Sequence, residues 1–408
     1  MQFELSEAHR RAQAEVVALA ERWQDRAAEI RVRQIEQGAF HEEFLKELCA
    51  AGLMGMLIPK EYGGTGAGVL SLAVAFEALA SRNVPVALPL LTNVCACAIA
   101  GSGSDDLRRR YLPRIATGET LFAFAFTEES SGHNLFDMRT LAQVADGRVA
   151  VTGSKCFISG ADVAQRMLVV GRSLTPEKVA ERKLSRFAGF NAVIVDPRGP
   201  AIRLTKMQLG AREALNQCVV IFDHTDVPEH ELVGEEHQGL GAVLGAINVE
   251  RVLSSALGVG AAEYVLSLAV ARARERRPFG KPIGSYQAIQ HPLAEIRARL
   301  EAARLLVYKS AAVFDVGGDP TTVGGWATMA KLVVSDLLFR AADQAIQTFG
   351  GSAYELDRGL VDLFLDARVF RTGPVSHELS LNFIAEHARP SAERVRVPAK
   401  AGSRGRAL

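Results

Sequence analysis

Four long amphipathic segments in the second half of the chain restrict its fold more than any other feature. They cover about 241–275, 285–316, 321–349 and 361–390, and in each the apolar residues recur at helical spacing. Such segments, joined by short loops, predict an antiparallel bundle, because each helix must bury its apolar stripe against its neighbours. We therefore predict a C-terminal four-helix bundle over residues 237–390.

The middle of the chain has the pattern of a β-domain. Short runs at 149–160, 166–173 and 188–197 alternate apolar and polar residues, and Gly, Pro and Asp separate them. This alternation is typical of strands that are buried on one face. We predict a central β-domain over residues 121–236.

The first part of the chain returns to helical spacing, with Ser6 as a plausible N-cap of the first helix. We predict an N-terminal helical domain over residues 1–120 and a flexible tail over 391–408. The fold class is therefore α+β: an N-terminal helical domain, a central β-domain and a C-terminal four-helix bundle.

Composition excludes several classes of protein. The net charge is +1, which gives no basic stripe for nucleic acid. Residues 83–104 carry no charge, but Pro85 and Pro89 interrupt them, so we expect buried helices and no membrane span. The five cysteines lack metal or redox spacing, and the start of the chain does not read as a signal peptide. We expect reduced thiols, no metal and a cytoplasmic location; the Ala- and Arg-rich composition indicates a bacterium.

One acidic residue interrupts the apolar helix predicted at 241–275. Glu250 lies in its interior and is followed by Arg251. A carboxylate in an apolar helix costs free energy unless it has a function or a partner. It is either a catalytic base or a surface carboxylate paired with a nearby arginine.

Four motifs occur in order along the chain, at 126–135, 151–164, 276–290 and 347–354. Alone, each has a plain interpretation as a turn, a hairpin strand or a helix end with capping glycines. Together, in this order and spacing, they resemble the acyl-CoA dehydrogenase family, and the resemblance covers about residues 5–390. Its members have the three-part architecture predicted above and are usually homotetramers, here a homotetramer or dimer, with one FAD per subunit.

The resemblance assigns residues to the flavin. Thr127 should bond the pyrimidine edge, Phe157 should cover one ring face, and Ser159 should donate near N5. Strand alternation would place Phe157 and Ser159 on one face. The resemblance also implies that the diphosphate and adenosine of FAD are bound by Arg276, Phe279 and Gln287. It implies that a neighbouring subunit contributes Gln347, Gly350 and Gly351 at the adenosine end.

The catalytic loop departs from the family pattern. Most members carry their base, a glutamate, in a loop that aligns with 366–378 here, but this chain has Pro374 at that position and Ser376 where a threonine is usual. Isovaleryl-CoA and long-chain members instead carry the base before an arginine on the bundle helix, as in Glu250 and Arg251. The resemblance thus makes Glu250 the base for the α-proton of an acyl thioester. Proline has no N–H for the thioester oxygen, so either Val375 N–H substitutes after a shift of the loop, or the substrate sits differently, or the chemistry has changed.

The resemblance also implies partners and alternatives. His133 and Asn134 replace the usual Ser and Asp, and His133 lies where the substrate's pantetheine arm is expected. The acceptor of electrons would be an electron-transfer flavoprotein, and the substrate an acyl-CoA or an acyl-carrier protein. Three other functions remain open: desaturation of a carrier-bound acyl chain, a flavin monooxygenase or oxidase, and a low-activity partner subunit of a heterotetramer.

Overall fold

The computed structural model describes residues 5–211 and 215–387, so the predicted tail at 391–408 lies outside the described residues. The first part is helical, and Ser6 is the N-cap of its first helix, since its Oγ accepts a hydrogen bond from His9 N at 3.2 Å. Its helices are α1 (Glu7–Trp23), α2 (Ala27–Ile35), α3 (Glu42–Ala50), α4 (Gly68–Ala80), α5 (Ala87–Ser102) and α6 (Asp105–Ala116).

The central part is a seven-stranded mixed sheet with one short helix. Its elements are β1 (Phe122–Ala125), β2 (Leu141–Ala145), β3 (Arg148–Ser159), β4 (Arg166–Arg172), α7 (Pro176–Glu181), β5 (Phe190–Val195), β6 (Ile202–Lys206) and β7 (Gln217–Pro228). The strand order is β1-β4-β2-β3-β7-β6, and β5 pairs with the other side of β4. β1 runs parallel to β4, whereas β3 pairs antiparallel with both β2 and β7.

The last part is helical, as predicted, but its fourth segment is divided. The helices are α8 (Gly239–Glu275), α9 (Gln287–Asp315), α10 (Pro320–Phe349), α11 (Leu360–Val369) and α12 (His377–His387). The prediction of one continuous helix over 361–390 is wrong, because α11 ends before a turn that contains Gly373 and Pro374. Proline lacks the N–H that a helix interior needs.

One apolar core connects the three parts. α8 packs against α4, α5 and α10 and also contacts β5, while α5 contacts β1. A carboxylate from the bundle caps α4, since the two oxygens of Asp315 accept from Val69 N at 2.7 Å and Leu70 N at 2.9 Å. The helical parts therefore form a frame that fixes α8 against the edge of the sheet.

α8 is a core helix. Among the described residues, only α8 is long and apolar enough to cross a membrane, and 61% of that stretch is buried inside the protein. α8 crosses α4 closely, because a Cβ on Gly260 would lie 2.3 Å from Glu77 O and 2.7 Å from the Cβ of Ala80. Glycine is required at this crossing, since a larger residue would separate the two helices.

This crossing gives a test with a matched control. We expect Gly260→Ala to lower the free energy of unfolding by about 1–3 kcal/mol, because the added methyl overpacks the contact with α4. Gly245→Ala lies on the same helix with no atom within 4 Å of the new Cβ, and we expect it to be neutral or stabilising by up to about 1 kcal/mol. Urea denaturation of both variants measures the difference. Equal effects would contradict the close packing.

Candidate active site

Glu250 lies on α8, where the helix faces α5. The neighbouring Val249 and Val252 are fully buried, and Glu250 itself retains a partly exposed side chain. Its carboxylate has no hydrogen bond and no cation within 4 Å among the described residues. The alternative interpretation, a surface carboxylate paired with a nearby arginine, is therefore not supported. Cys95 of α5 is near enough that the charge of Glu250 adds to burial in raising the pKa of its thiol.

The surroundings of Glu250 make it a weaker acid than an ordinary glutamic acid. Burial among protein atoms raises the pKa of Glu250 to about 7, and the charge of Arg251 only partly opposes this. A carboxyl with this pKa can accept a proton near neutral pH and release it again, which is what general base catalysis needs.

Arg251 is held without a carboxylate partner. Its Nη1 donates to Asn248 Oδ1 at 2.9 Å, and its buried Nε has no partner within the described part of the chain. Burial lowers the pKa of Arg251, while Glu250 opposes that change. A buried donor without an acceptor is rare in a folded protein and indicates a place where a ligand or water is bound.

A second cation, which sequence reasoning missed, fixes the loop that contains Pro374. Lys331 of α10 is 2% exposed and donates its Nζ to Val375 O. Its pKa is lowered to about 8 by burial and then by Arg251, while Glu378 opposes the change. The signal was available, because Lys331 interrupts an apolar helix in the same way as Glu250.

The rest of this loop leads into α12. The Oγ of Ser376 accepts from Leu379 N at 3.3 Å, so Ser376 is a helix cap in this structure. The backbone N–H of Val375 donates no hydrogen bond to any described residue. His377 is bonded through Nε2 to Ser335 Oγ at 2.7 Å. The loop is thus held on both sides of Val375, and the Val375 amide stays available.

A buried ion pair positions Thr127 on the sheet. Lys155 has no exposed surface, and its Nζ donates to Glu128 Oε1 and to Phe126 O, both at 2.9 Å. Glu128 also accepts from Arg139 N at 2.7 Å and Thr140 N at 3.0 Å. Sequence reasoning missed this pair, because strand alternation does not show which buried lysine meets which carboxylate. Lys155 therefore holds Phe126 and Glu128, the residues before and after Thr127.

The two other residues predicted to contact the flavin ring lie at the end of β3. Phe157 sits at a β-bulge with φ of 56° and is 53% exposed. A bulky residue with positive φ is strained, and such strain is concentrated at functional sites. Ser159 is half-buried, and its Oγ accepts from Gln217 Nε2 at 2.8 Å. Alternation breaks at the bulge, where Lys155 and Cys156 are both buried, but it resumes from the exposed Phe157 through the buried Ile158 to Ser159.

The residues predicted to bind the far end of FAD do not join this site within one chain. Arg276 is the C-cap of α8 and follows Glu250 by 26 residues. At 1.5 Å per helical residue, the two residues are about 39 Å apart. Arg276, Phe279 and Gln287 are all exposed, Phe279 by 81%. Gln347, Gly350 and Gly351 are exposed at the end of α10. The two helix ends are adjacent, because Arg272 lies 5.4 Å from the Phe349 ring and 3.4 Å from Ser352 Oγ.

Comparison with known families covers nearly the whole chain. The acyl-CoA dehydrogenase N-terminal, middle and C-terminal domain models match residues 6–119, 123–225 and 237–388. The acyl-CoA dehydrogenase FadE12 of Mycobacterium tuberculosis is 34% identical, over 84% of this chain and 87% of the relative. The cyclohex-1-ene-1-carbonyl-CoA dehydrogenase of Geobacter metallireducens is 32% identical, over 83% and 88%. A solved glutaryl-CoA dehydrogenase complex is 28% identical with a TM-score of 0.86, covering 95% and 96%.

The raised pKa of Glu250 predicts a pH-dependent effect of its removal on stability. Folding raises this pKa from 4.5 to about 7, so the folded protein binds the proton more tightly and loses stability as the pH rises through that interval. We expect Glu250→Gln to be nearly neutral at pH 4.5 and to stabilise the fold by about 3 kcal/mol at pH 8. Urea denaturation of both proteins at several pH values measures this. A difference that does not change with pH would contradict the raised pKa of Glu250.

Proposed function

The chain belongs to the acyl-CoA dehydrogenase family, and we propose that Glu250 is the base that removes the α-proton of its acyl-CoA substrate. As a member, the protein is an FAD-dependent oxidoreductase that acts on acyl-CoA. The raised pKa of Glu250, without an ion pair to hold it, is the observation that carries the proposal. The loop position that Pro374 occupies offers no alternative base.

The residues at the sheet edge fit a flavin. The Lys155–Glu128 pair fixes the chain next to Thr127, and the strained Phe157 presents an exposed apolar ring surface. We propose that Thr127, Phe157 and Ser159 hold the ring system, and that it supplies the acceptor for the hydride from the β-carbon. Arg276, Phe279 and Gln287 would bind the diphosphate and adenosine.

The oxyanion that develops on the thioester oxygen needs a donor. We assign this role to Val375 N–H, because Pro374 has none and the Val375 amide has no other acceptor among the described residues. Lys331 fixes the following peptide, between Val375 and Ser376, by donating to Val375 O. His133, near Glu378 at the start of α12, would contact the pantetheine arm. Ser376 caps α12, and we propose that it also contacts FAD.

The assembly is part of the proposal. Gln347, Gly350 and Gly351 are exposed at the end of α10, which lies next to the end of α8 and far from the base, and this suits residues that meet the FAD of a neighbouring subunit in a homotetramer or dimer. We further propose that an electron-transfer flavoprotein reoxidises the flavin and that the enzyme is cytoplasmic.

Replacing the base tests the function directly. We expect Glu250→Gln to retain its yellow flavin and to slow anaerobic flavin reduction by acyl-CoA about 100- to 10,000-fold, the usual contribution of a general base. Stopped-flow absorbance measures the rate. Glu263→Gln removes a partly exposed carboxylate from the same helix, where it pairs with Arg304 at 2.6 Å, and should reduce at the wild-type rate. Unchanged reduction in Glu250→Gln would reject Glu250 as the base.

The pH profile gives an independent test. Because only ionised Glu250 can accept a proton, we expect the rate of flavin reduction to rise about tenfold per pH unit below 7 and to level off above it. The pKa of about 7 places the midpoint there. A rate that stays level down to pH 5 would show that the carboxyl keeps an ordinary pKa in the working enzyme. The measurement is reduction at limiting acyl-CoA between pH 5 and 9.

A further inference from the structure

We infer that the buried Lys155 strengthens the hydrogen bond that the backbone N–H of Thr127 donates to the pyrimidine edge of the flavin. The inference rests on the proposed function, in which Thr127 contacts that edge. Lys155 acts through one peptide group, the one between Phe126 and Thr127, so it is a positioning residue. Its consequence is a change in the reduction potential of the bound FAD.

The Phe126–Thr127 peptide connects the lysine with the site. Lys155 Nζ donates to Phe126 O at 2.9 Å, and this carbonyl belongs to the same planar peptide group as the N–H of Thr127. A cation at the carbonyl oxygen draws electron density from the peptide nitrogen, so the N–H becomes a stronger donor at the other end. The acceptor that meets this N–H therefore experiences the charge of Lys155.

Thr127 has two donors available for such an acceptor. Its N–H and its hydroxyl make no hydrogen bond to any described residue, and the residue is only half-buried. Its carbonyl oxygen, in contrast, accepts from Cys156 N at 3.0 Å. The backbone is thus held at Phe126 O and at Thr127 O, on both sides of an amide that is left for a ligand.

Glu128 keeps the lysine charged. Its Oε1 accepts from Lys155 Nζ at 2.9 Å, and its oxygens also accept from Arg139 N and Thr140 N. Burial lowers the pKa of Lys155 to about 8, while the charge of Glu128 and its hydrogen bond oppose this change. The ammonium is therefore retained at neutral pH, and because it has no exposed surface, solvent screens it little.

A stronger donor at the pyrimidine edge favours the reduced flavin. One negative charge reaches the ring with the hydride, and protein groups near the ring nitrogens tune the electronics of a flavin. A hydrogen bond to a charged acceptor is about twice as strong as one to a neutral acceptor. The polarised N–H of Thr127 therefore stabilises the reduced ring more than the oxidised ring, and Lys155 raises the midpoint potential.

Removing both charges together tests the inference. K155M/E128Q leaves no buried charge unpaired, and the new amide oxygen can still accept from Arg139 N and Thr140 N, so we expect the fold and the bound FAD to persist. We expect the preference for reduced over oxidised flavin to fall about tenfold, which lowers the two-electron midpoint potential by about 30 mV. Potentiometric titration of the holoenzyme at pH 7 measures this. A wild-type potential in a folded, yellow variant would overturn the inference.

Lys206→Met is the matched control. Lys206 makes the same two kinds of contact outside the proposed flavin site, since its Nζ donates to Ile35 O at 3.1 Å and lies 3.2 Å from Asp162 Oδ2. We expect this variant to keep the wild-type potential. A decrease equal to that of K155M/E128Q would show that the loss of any lysine has this effect, and would overturn the inference.

A single variant decides the matter if K155M/E128Q does not fold. Glu128→Gln leaves the ammonium bonded to Phe126 O and removes the opposing anion. At pH 6, well below the wild-type pKa of Lys155, we expect a higher midpoint potential than that of the wild type. A potential equal to or below the wild-type value would contradict a cation that acts through this peptide.

The proposed function can fail separately from this inference. The equilibrium potential does not depend on which residue removes the proton, so the result stands even if Glu250 is not the base. Thr127→Ala tests the contact with the flavin itself, and we expect it to shift the visible absorption of the bound FAD. That shift, combined with an unchanged potential in K155M/E128Q, would overturn the inference and keep Thr127 in the site. A wild-type protein that binds no FAD would reject both.

Discussion

The packing of α8 against α4, α5 and α10 is the interaction on which the rest of the structure depends. Glycines permit it: Gly260 brings α8 against α4, and at Gly258 an added Cβ would lie 2.6 Å from Val334 of α10. Farther along the same helix, protein atoms around the partly exposed Glu250 raise its pKa to about 7. α8 therefore provides both part of the core and the proposed base.

The electrostatics of the site oppose stability and favour reaction. An anion, Glu250, and two cations, Arg251 and Lys331, lie in one poorly hydrated region without forming an ion pair among the described residues. Burial lowers the pKa of both cations and raises that of the carboxyl. Buried charges that stay unpaired cost free energy. Proteins keep such groups mainly where function requires them, so the unfavourable arrangement supports the proposed active site at this place.

Local patterns in the sequence predicted much of this structure. Helical and strand periodicity indicated the three-part fold, and a charge in an apolar helix indicated Glu250. Periodicity also concealed the break between α11 and α12, because apolar spacing continues across Gly373 and Pro374 while the backbone hydrogen bonds do not. The Lys155–Glu128 pair and the positive φ of Phe157 depend on partners distant in the chain and on a bulge, which no local pattern specifies.

The proposed position of the base would account for a proline in the loop. A base on a loop must be held in place by that loop, whereas α8 is fixed along its length by the core. With Glu250 on the helix, the loop needs only to present a backbone donor, and the Lys331 bond to Val375 O holds the next peptide for that purpose. Pro374 adds rigidity without removing the amide that follows it. On this proposal the loop supplies the donor and the helix supplies the base, two tasks that a single glutamate position could otherwise combine.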